Sequence, residues 1–362
     1  MDSINRIIVT GDFLRQRKTQ AGVSSQDGNI NWLYHMIRPS IRLLCDLPIV
    51  SLTYEGGSDG LAGDIYAANG KKPCFESWVE LYGKKPSRKE MGLIYGRFAG
   101  SLVIAFELPE IIRTAFDILE IPYVDITIHP VRFMDDLLFG VRSNIAAAIE
   151  VMSEFIVFDD EIRVYGGLAM ATLVRLPRLE VCVGENVAVF AGQTTDDKVL
   201  IKNGKLLDVD EFIPRLQELC GNHEKVLVKP HPMAANNDFI LALTRLFKNT
   251  VLVKDNFYHL LSHEQISTVY SLTSSTSIEA AHLYKRGVHL SDYPYFFCEH
   301  SCSGGAFLSV RPQIYLPKFW SGILNLLGVE TKRFNSFCVE AVPNRMRMSL
   351  RSYWGADIFN KI

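Results

Sequence analysis

The sequence predicts an α/β protein made of two doubly wound halves that face a cleft. Three observations predict it. Short buried apolar runs end in small or polar residues, helical apolar periods separate them, and the whole pattern restarts near residue 185. At 362 residues the chain can fill two domains with real cores. No linker rich in Gly, Pro or Ser parts the halves, so residues 1–180 are expected in the first and 181–330 in the second.

Taken in order, "RIIVTGD" (6–12) reads as a first strand ending in a Gly-Asp turn. "LPIVSLTYEGG" (47–57), "SLVIAFELP" (101–109) and "PYVDITIHP" (122–130) repeat that pattern. Helical stretches lie between them at "NWLYHMIRPSIRLLCD", "KEMGLIYGRFAG" and "PEIIRTAFDILEI", with a more polar insertion, "KPCFESWVELYGKKPSRKE", that has an amphipathic centre. "VRSNIAAAIEVMSEFIV" (141–157) reads as one long helix. The second series has strands at "NVAVFAGQ" (186–193), "KVLVKPH" (225–231), "TVLVKD" (250–255), "TVYSLTS" (268–274) and "GVHLSD" (287–292). Its helices fall at "VDEFIPRLQELC", "DFILALTRLF" and "STSIEAAHLYKR".

Composition narrows the function classes. A net charge of -2 gives no global attraction to nucleic acid. The 7 cysteines are scattered, and Cys298-Glu-His300-Ser-Cys302 lacks the usual zinc spacing, so no metal site is expected. "MDSINRIIVTGDF" lacks a basic segment followed by an apolar one, and no apolar run is long enough to cross a bilayer. The expectation is a cytoplasmic protein.

Doubly wound halves bind ligands at the carboxyl ends of their strands. Three such ends in the second half carry unusual polar residues. After one strand comes "AGQTTDDKV", with Gln193, Thr194, Thr195, Asp196 and Asp197. Adjacent carboxylates in a loop are often caps, but at a cleft a nucleophile, a base or a metal ligand competes evenly with that role. After another comes Lys229-Pro230-His231-Pro232. The prolines restrict both their own φ and the residues before them, so a cation and an imidazole are presented with little freedom. After the third come Thr273, Ser274, Ser275, Thr276 and Ser277, with Glu279 two residues on. Hydroxyls at a helix start make an anion cradle, although a plain cap with Glu279 closing a capping box explains one or two of them. Together these ends suit a phosphate bearing a nucleoside, with Asp196 or Asp197 aimed at the adjoining carbon. Walker A, GxGxxG and paired Ser-His-Asp signatures are missing, which removes the usual kinase, dehydrogenase and hydrolase parts.

The set "GQTTDD", "KPHP", "DNFYHLLSHEQISTVYSLTSSTSIEA" and "RGVHLSDYPYFF" resembles the bacterial capsule and O-antigen Kdo transferases, across most of the second half. The resemblance implies a GT-B-like fold and CMP-Kdo (the CMP ester of 3-deoxy-manno-octulosonic acid) as donor. It implies that His231 and Pro232 meet the CMP phosphate, that Ser274 and the helix start hold phosphate or nucleotide, and that Glu279 makes a ribose or structural contact. Gln193 and Asp197 match the family's Gln-x-x-x-Asp element, with Asp196 the fallback. Lys198-Val199 and "YFFCEHS" depart from the family's pattern and leave the acceptor open. CMP is already a good leaving group, so the donor chemistry needs no metal or other cofactor. A carboxylate attack on the anomeric carbon gives retention, and deprotonation of the acceptor gives inversion. The resemblance implies retention and a β-linked product.

The first half is expected to take a glycan or lipid-linked glycan acceptor. Glu107 ends one strand; Asp125, His129, Arg132, Asp135 and Asp136 lie at another; Thr10, Gly11 and Asp12 end the first. Glu107 and His129 are catalytic candidates, and Arg132, Asp125 and Asp12 are candidates for acceptor or donor-carboxylate contacts. Residues 331–362 mix Trp, Phe and Leu with Lys332, Arg333, Arg345, Arg347 and Arg351. A helical segment packing back on the first half is expected there, with peripheral contact to the inner membrane as a secondary role. A CMP-sialic-acid transferase and a non-catalytic nucleotide-sugar-binding module are the rival readings.

Overall fold

The computed structural model describes residues 3–18, 20–24, 26–54, 60–182, 184–234, 237–299, 305–337, 339–340 and 342–360. His300 and Cys302 of the Cys298 motif lie outside them, as does the Glu55-Gly56-Gly57 end of the second predicted strand.

Two sheets carry the architecture. The strands of the first half are β1 (Arg6–Gly11), β2 (Ile49–Ser51), β3 (Ser101–Phe106), β4 (Tyr123–Ile128) and β5 (Phe139–Ser143). Those of the second are β6 (Val187–Ala191), β7 (Lys225–Lys229), β8 (Thr250–Leu252), β9 (Ile266–Ser271) and β10 (Arg286–His289). Two late strands follow, β11 (Phe297–Cys298) and β12 (Phe307–Val310). The first sheet runs β11-β12-β5-β4-β3-β1-β2, and the second runs β8-β7-β6-β9-β10 with every pairing parallel. β1 to β4 are parallel as well. Helices cover both faces of each sheet and bury the apolar runs that predicted the strands. The expected α/β fold, with two Rossmann-like sheets flanked by helices, is the one observed.

Strand order places the cleft. In each sheet the order reverses once, between β1 and β3 and between β6 and β9. Ligand crevices open at such reversals, outside the carboxyl ends of the strands. Gly11 at the end of β1 lets the two strands close there, since a Cβ would sit 2.5 Å from the Phe106 carbonyl oxygen.

Three expectations need correction. Residues 141–157 do not form one helix: β5 ends at Ser143, and a helix spans only Ala148–Met152. The polar residues decide this. Arg142 pairs with Asp125 on β4, Ser143 Oγ donates to the Tyr123 carbonyl, and Asn144 bridges Ile121 and Tyr123. The domain limits also shift. The helix Asp159–Leu173 packs in the core of the second sheet, with Ile162, Ala169 and Leu173 beside Val187, Leu227 and Val269. The chain returns to the first sheet at β11, well before residue 331, and the helix Pro317–Leu326 joins the first core through Phe319, Trp320, Ile323 and Leu324.

The tail ties the halves together. Met346 enters the first core, whereas Ala356, Ile358 and Phe359 join the second. Arg347 is buried and donates to the Met134 and Asp135 carbonyls and to the Asn344 side chain, while Asp136 accepts from the Met346 and Arg347 amides. Lys332 pairs with Asp46. Two of the five basic residues are thus occupied within the fold. Among the described residues, no helix is long and apolar enough to cross a membrane.

The Asp125–Arg142 pair, 2.8 Å apart with side chains 0% and 12% exposed, gives a stability prediction. Arg142→Met strands a buried carboxylate and is expected to cost about 3–5 kcal/mol in urea unfolding. Adding Asp125→Asn should recover part of that loss; equal losses in the single and double variants would contradict the pairing.

Candidate active site

The polar residues of the cleft come from the two reversal points. Gln193 to Lys198 follow β6, and Thr273 to Ser277 follow β9; opposite them, Asp12 follows β1 and Glu107 follows β3. His231 follows β7, the next strand over from β6.

Gln193 organises the cleft side of the second half through hydrogen bonds inside the fold. Its side-chain amide donates to Thr273 Oγ1 and accepts from the Thr273 backbone N–H, both at 3.0 Å, and its carbonyl accepts from Asn237. Those bonds lock the loop after β6 to the turn after β9. Asp197 then caps a short 3-10 turn, its Oδ1 accepting from the Val199 N–H at 3.3 Å, while Oδ2 has no partner among the described residues. Burial raises the pKa of Asp197, against the opposing pull of Arg15 and then Lys198. Asp196 contributes its carbonyl, which accepts from Arg15 at 2.8 Å.

At the corner after β7, the Met233 N–H donates to His231 Nδ1 at 3.1 Å. That bond leaves the neutral ring its proton on Nε2, a donor with no partner among the described residues. Burial lowers the His231 pKa; the Asp197 carboxylate pulls the other way. Pro232 is exposed beside it. Burial also lowers the pKa of half-buried Lys229, with the Asp255 carboxylate pulling the other way.

The hydroxyl run divides in two. Ser277 is buried and bonds Ser271 Oγ and the Val288 carbonyl, a structural role. Gly287 permits that packing, because a Cβ there would lie 1.7 Å from the Ser277 carbonyl oxygen. Ser274 Oγ accepts from the Thr276 N–H, Ser275 makes no side-chain cap, and Thr276 Oγ1 is buried without a partner among the described residues. The capping box is not formed. Glu279 instead accepts from Tyr258 Oη at 2.7 Å and from the Arg132 N–H at 2.9 Å, so it joins the two halves behind the cleft.

Three first-half candidates are committed elsewhere. His129 accepts from the Val131 N–H through Nδ1 and meets Ser309 Oγ through Nε2; burial drops its pKa to about 3. A ring so engaged is not a proton shuttle. Asp125 gives its oxygens to the Leu108 N–H and Arg142, and Arg132 donates to the His129 carbonyl beneath Trp354. Asp12 differs. It is fully buried, its Oδ2 accepts from Trp78 Nε1 at 3.0 Å, and its Oδ1 has no partner among the described residues. Burial raises its pKa, opposed by Lys198 and Arg15.

One functional candidate was not among the residues singled out for the site. Lys198 crosses the cleft, its Nζ 2.6 Å from Glu107 Oε2, with side chains 5% and 18% exposed. Thr127 Oγ1 donates to the other Glu107 oxygen at 2.8 Å. Burial alone would raise the Glu107 pKa, but Lys198 and these hydrogen bonds hold it below the usual range. Glu107 also sits at φ 59, a left-handed backbone uncommon outside glycine and associated with functional sites. The only sequence signal was a lysine next to the carboxylate loop.

No protein-family model and no curated protein matches the chain. Among solved structures it is similar to the beta Kdo 2,7 transferase of Thermosulfurimonas dismutans KpsC, with 14% identity and a TM-score of 0.32, over 65% of this chain and 80% of that one. It is similar also to the beta Kdo 2,4 transferase of the same protein, with 13% identity and a TM-score of 0.38, over 87% and 90% of the two chains. The strand order, not this likeness, defines the fold.

Glu279 yields a pH prediction. Burial raises its pKa to about 7. A carboxyl whose folded pKa is raised stabilises the fold below its unfolded pKa, and that contribution is lost as pH climbs through the folded value. Stability should therefore fall by about 3 kcal/mol between pH 4.5 and 8 on this account. Glu279→Gln keeps an acceptor for Tyr258 and Arg132, so chemical denaturation of that variant should show a flatter profile. Parallel profiles would contradict the assignment.

Proposed function

We propose that the protein is a glycosyltransferase that moves Kdo from CMP-Kdo to a glycan acceptor in bacterial surface-polysaccharide synthesis, with retention. The observation that carries the reading is a coincidence of place. His231, Asp197 and the Ser274–Thr276 turn end three adjacent strands of one parallel sheet, and two carboxylates, Asp12 and Glu107, end the strands opposite. The motif resemblance supplies the sugar and nucleotide.

In this reading the Nε2–H of His231, with Lys229 nearby, holds the CMP phosphate. Thr276 Oγ1 completes the cradle. Asp197 attacks the anomeric carbon as the bond to the phosphate oxygen breaks, and CMP leaves with the electron pair. The acceptor hydroxyl then attacks the glycosyl ester, Asp197 departs as carboxylate, and the hydroxyl proton passes to Glu107. Glu107 suits that role because it is held ionised, and Asp12 offers its unpartnered oxygen to the acceptor. No step calls on a metal.

A turnover screen over CMP-, UDP- and GDP-sugars tests the reading, with transfer or hydrolysis of CMP-Kdo expected. Turnover of CMP-sialic acid in its place would change the sugar, and turnover of only UDP- or GDP-sugars would end the reading. Asp197→Ala is expected to lower transfer at least about 1,000-fold, in the range of lost covalent catalysis, while CMP still binds. Full activity in that variant removes Asp197 from the mechanism. A sugar adduct on the peptide holding Asp196 and Asp197 and a β-linked product are expected; an α-linked product contradicts retention.

A further inference from the structure

We propose that Lys198 is a positioning residue: reaching across the cleft from the nucleotide half, it fixes the Glu107 carboxylate in place for the reaction. The inference rests on the nucleotide-sugar reading above and concerns a residue outside its motifs.

Four observations lead there. The ion pair is short and shielded from water, and it joins the loop after β6 to the end of β3, the two reversal points of the sheets. Each Glu107 oxygen has its own donor, Lys198 for one and Thr127 for the other, so the carboxylate cannot rotate without breaking a bond. Its backbone is held in a conformation that non-glycine residues rarely adopt. Lys198 is itself placed by the Asp197 cap and by the Gln193–Thr273 clamp, so its position is set by the turn proposed to hold phosphate.

The surroundings leave Lys198 as the group that decides. Asp12, Asp197 and Asp125 are the other carboxylates that interact with the pair; Asp125 is taken up by Arg142, and Arg15 is the other cation near Glu107, Asp12 and Asp197. Arg15 is turned to the Asp196 carbonyl and lies over the Trp78 ring. Arg132 senses Glu107 at longer range but donates to the His129 carbonyl. Tyr82, Tyr293 and Tyr295 complete the wall, all with pKa values pushed up by burial, and so remain neutral. A buried carboxylate among others loses its charged form unless a cation is paired with it. Because that cation comes from the opposite half, the Glu107 site is complete only when the halves are apposed.

The test is a titration of the full-length protein labelled with 13C at glutamate carboxyls, with Glu107 assigned by Glu107→Gln. Glu107 should titrate below the ordinary glutamate range in the wild type. In Lys198→Met its midpoint should rise by about 1–3 pH units, and Lys198→Arg should restore most of the shift. Thr127→Val, which leaves the ion pair, should move the midpoint less than Lys198→Met does. The acid limb of the transfer rate should follow the same order, which a merely structural loss of activity would not do. An unchanged midpoint in Lys198→Met overturns the proposal, as does a moved midpoint with an unmoved acid limb. Calorimetry with CMP separates the two levels. A wild type that does not bind CMP defeats the nucleotide reading, whereas CMP binding with an unmoved Glu107 defeats only this one.

Discussion

A lysine and a glutamate taken out of water together, Lys198 and Glu107, are the constraint around which the cleft is organised. Each ion loses several kcal/mol of hydration on burial, and the pair recovers this only with good geometry and further hydrogen bonds. The structure meets both conditions through the 2.6 Å contact and the Thr127 bond. Asp12, Glu107 and Asp197 would otherwise converge with Arg15 as the cation left to offset their repulsion, and Arg15 is bound to a carbonyl and stacked on Trp78.

That constraint sorts the conspicuous residues into two groups. Gln193, Ser277, Glu279, His129 and Asp125 spend their hydrogen bonds inside the protein and hold the loops still. His231 Nε2, Asp197 Oδ2, Thr276 Oγ1 and Asp12 Oδ1 keep capacity unused. In the proposed reading, the engaged residues set the geometry and the unengaged atoms are those left to meet a ligand.

Most strands were legible because parallel strands buried on both faces read as continuous apolar runs, as "KVLVK" and "VAVFA" do. The failures have physical causes. Residues 141–157 carry a helical period, but Arg142 and Asn144 find partners on β4 and before it that no local pattern reveals. The helix Asp159–Leu173 precedes the second series in sequence yet packs on its sheet, and β11 and β12 follow that series yet complete the first sheet. Domain membership is a matter of long-range contact, and sequence order does not carry it. The site was legible where prolines or hydroxyls mark a strand end. Lys198 was not, since its partner lies 91 positions away across the cleft (198 against 107). Nor did the residue type of His129 or Asp125 tell that each is consumed within the fold.

The central claim is that a nucleoside monophosphate sits between the ends of β6, β7 and β9. A crystal structure of the protein soaked with CMP tests it most directly. The account predicts the phosphate within hydrogen-bond distance of His231 Nε2 and the Ser274–Thr276 turn, with Asp197 facing the position of the bonded sugar carbon. CMP bound away from that corner, or a cleft empty at saturating CMP, would contradict it.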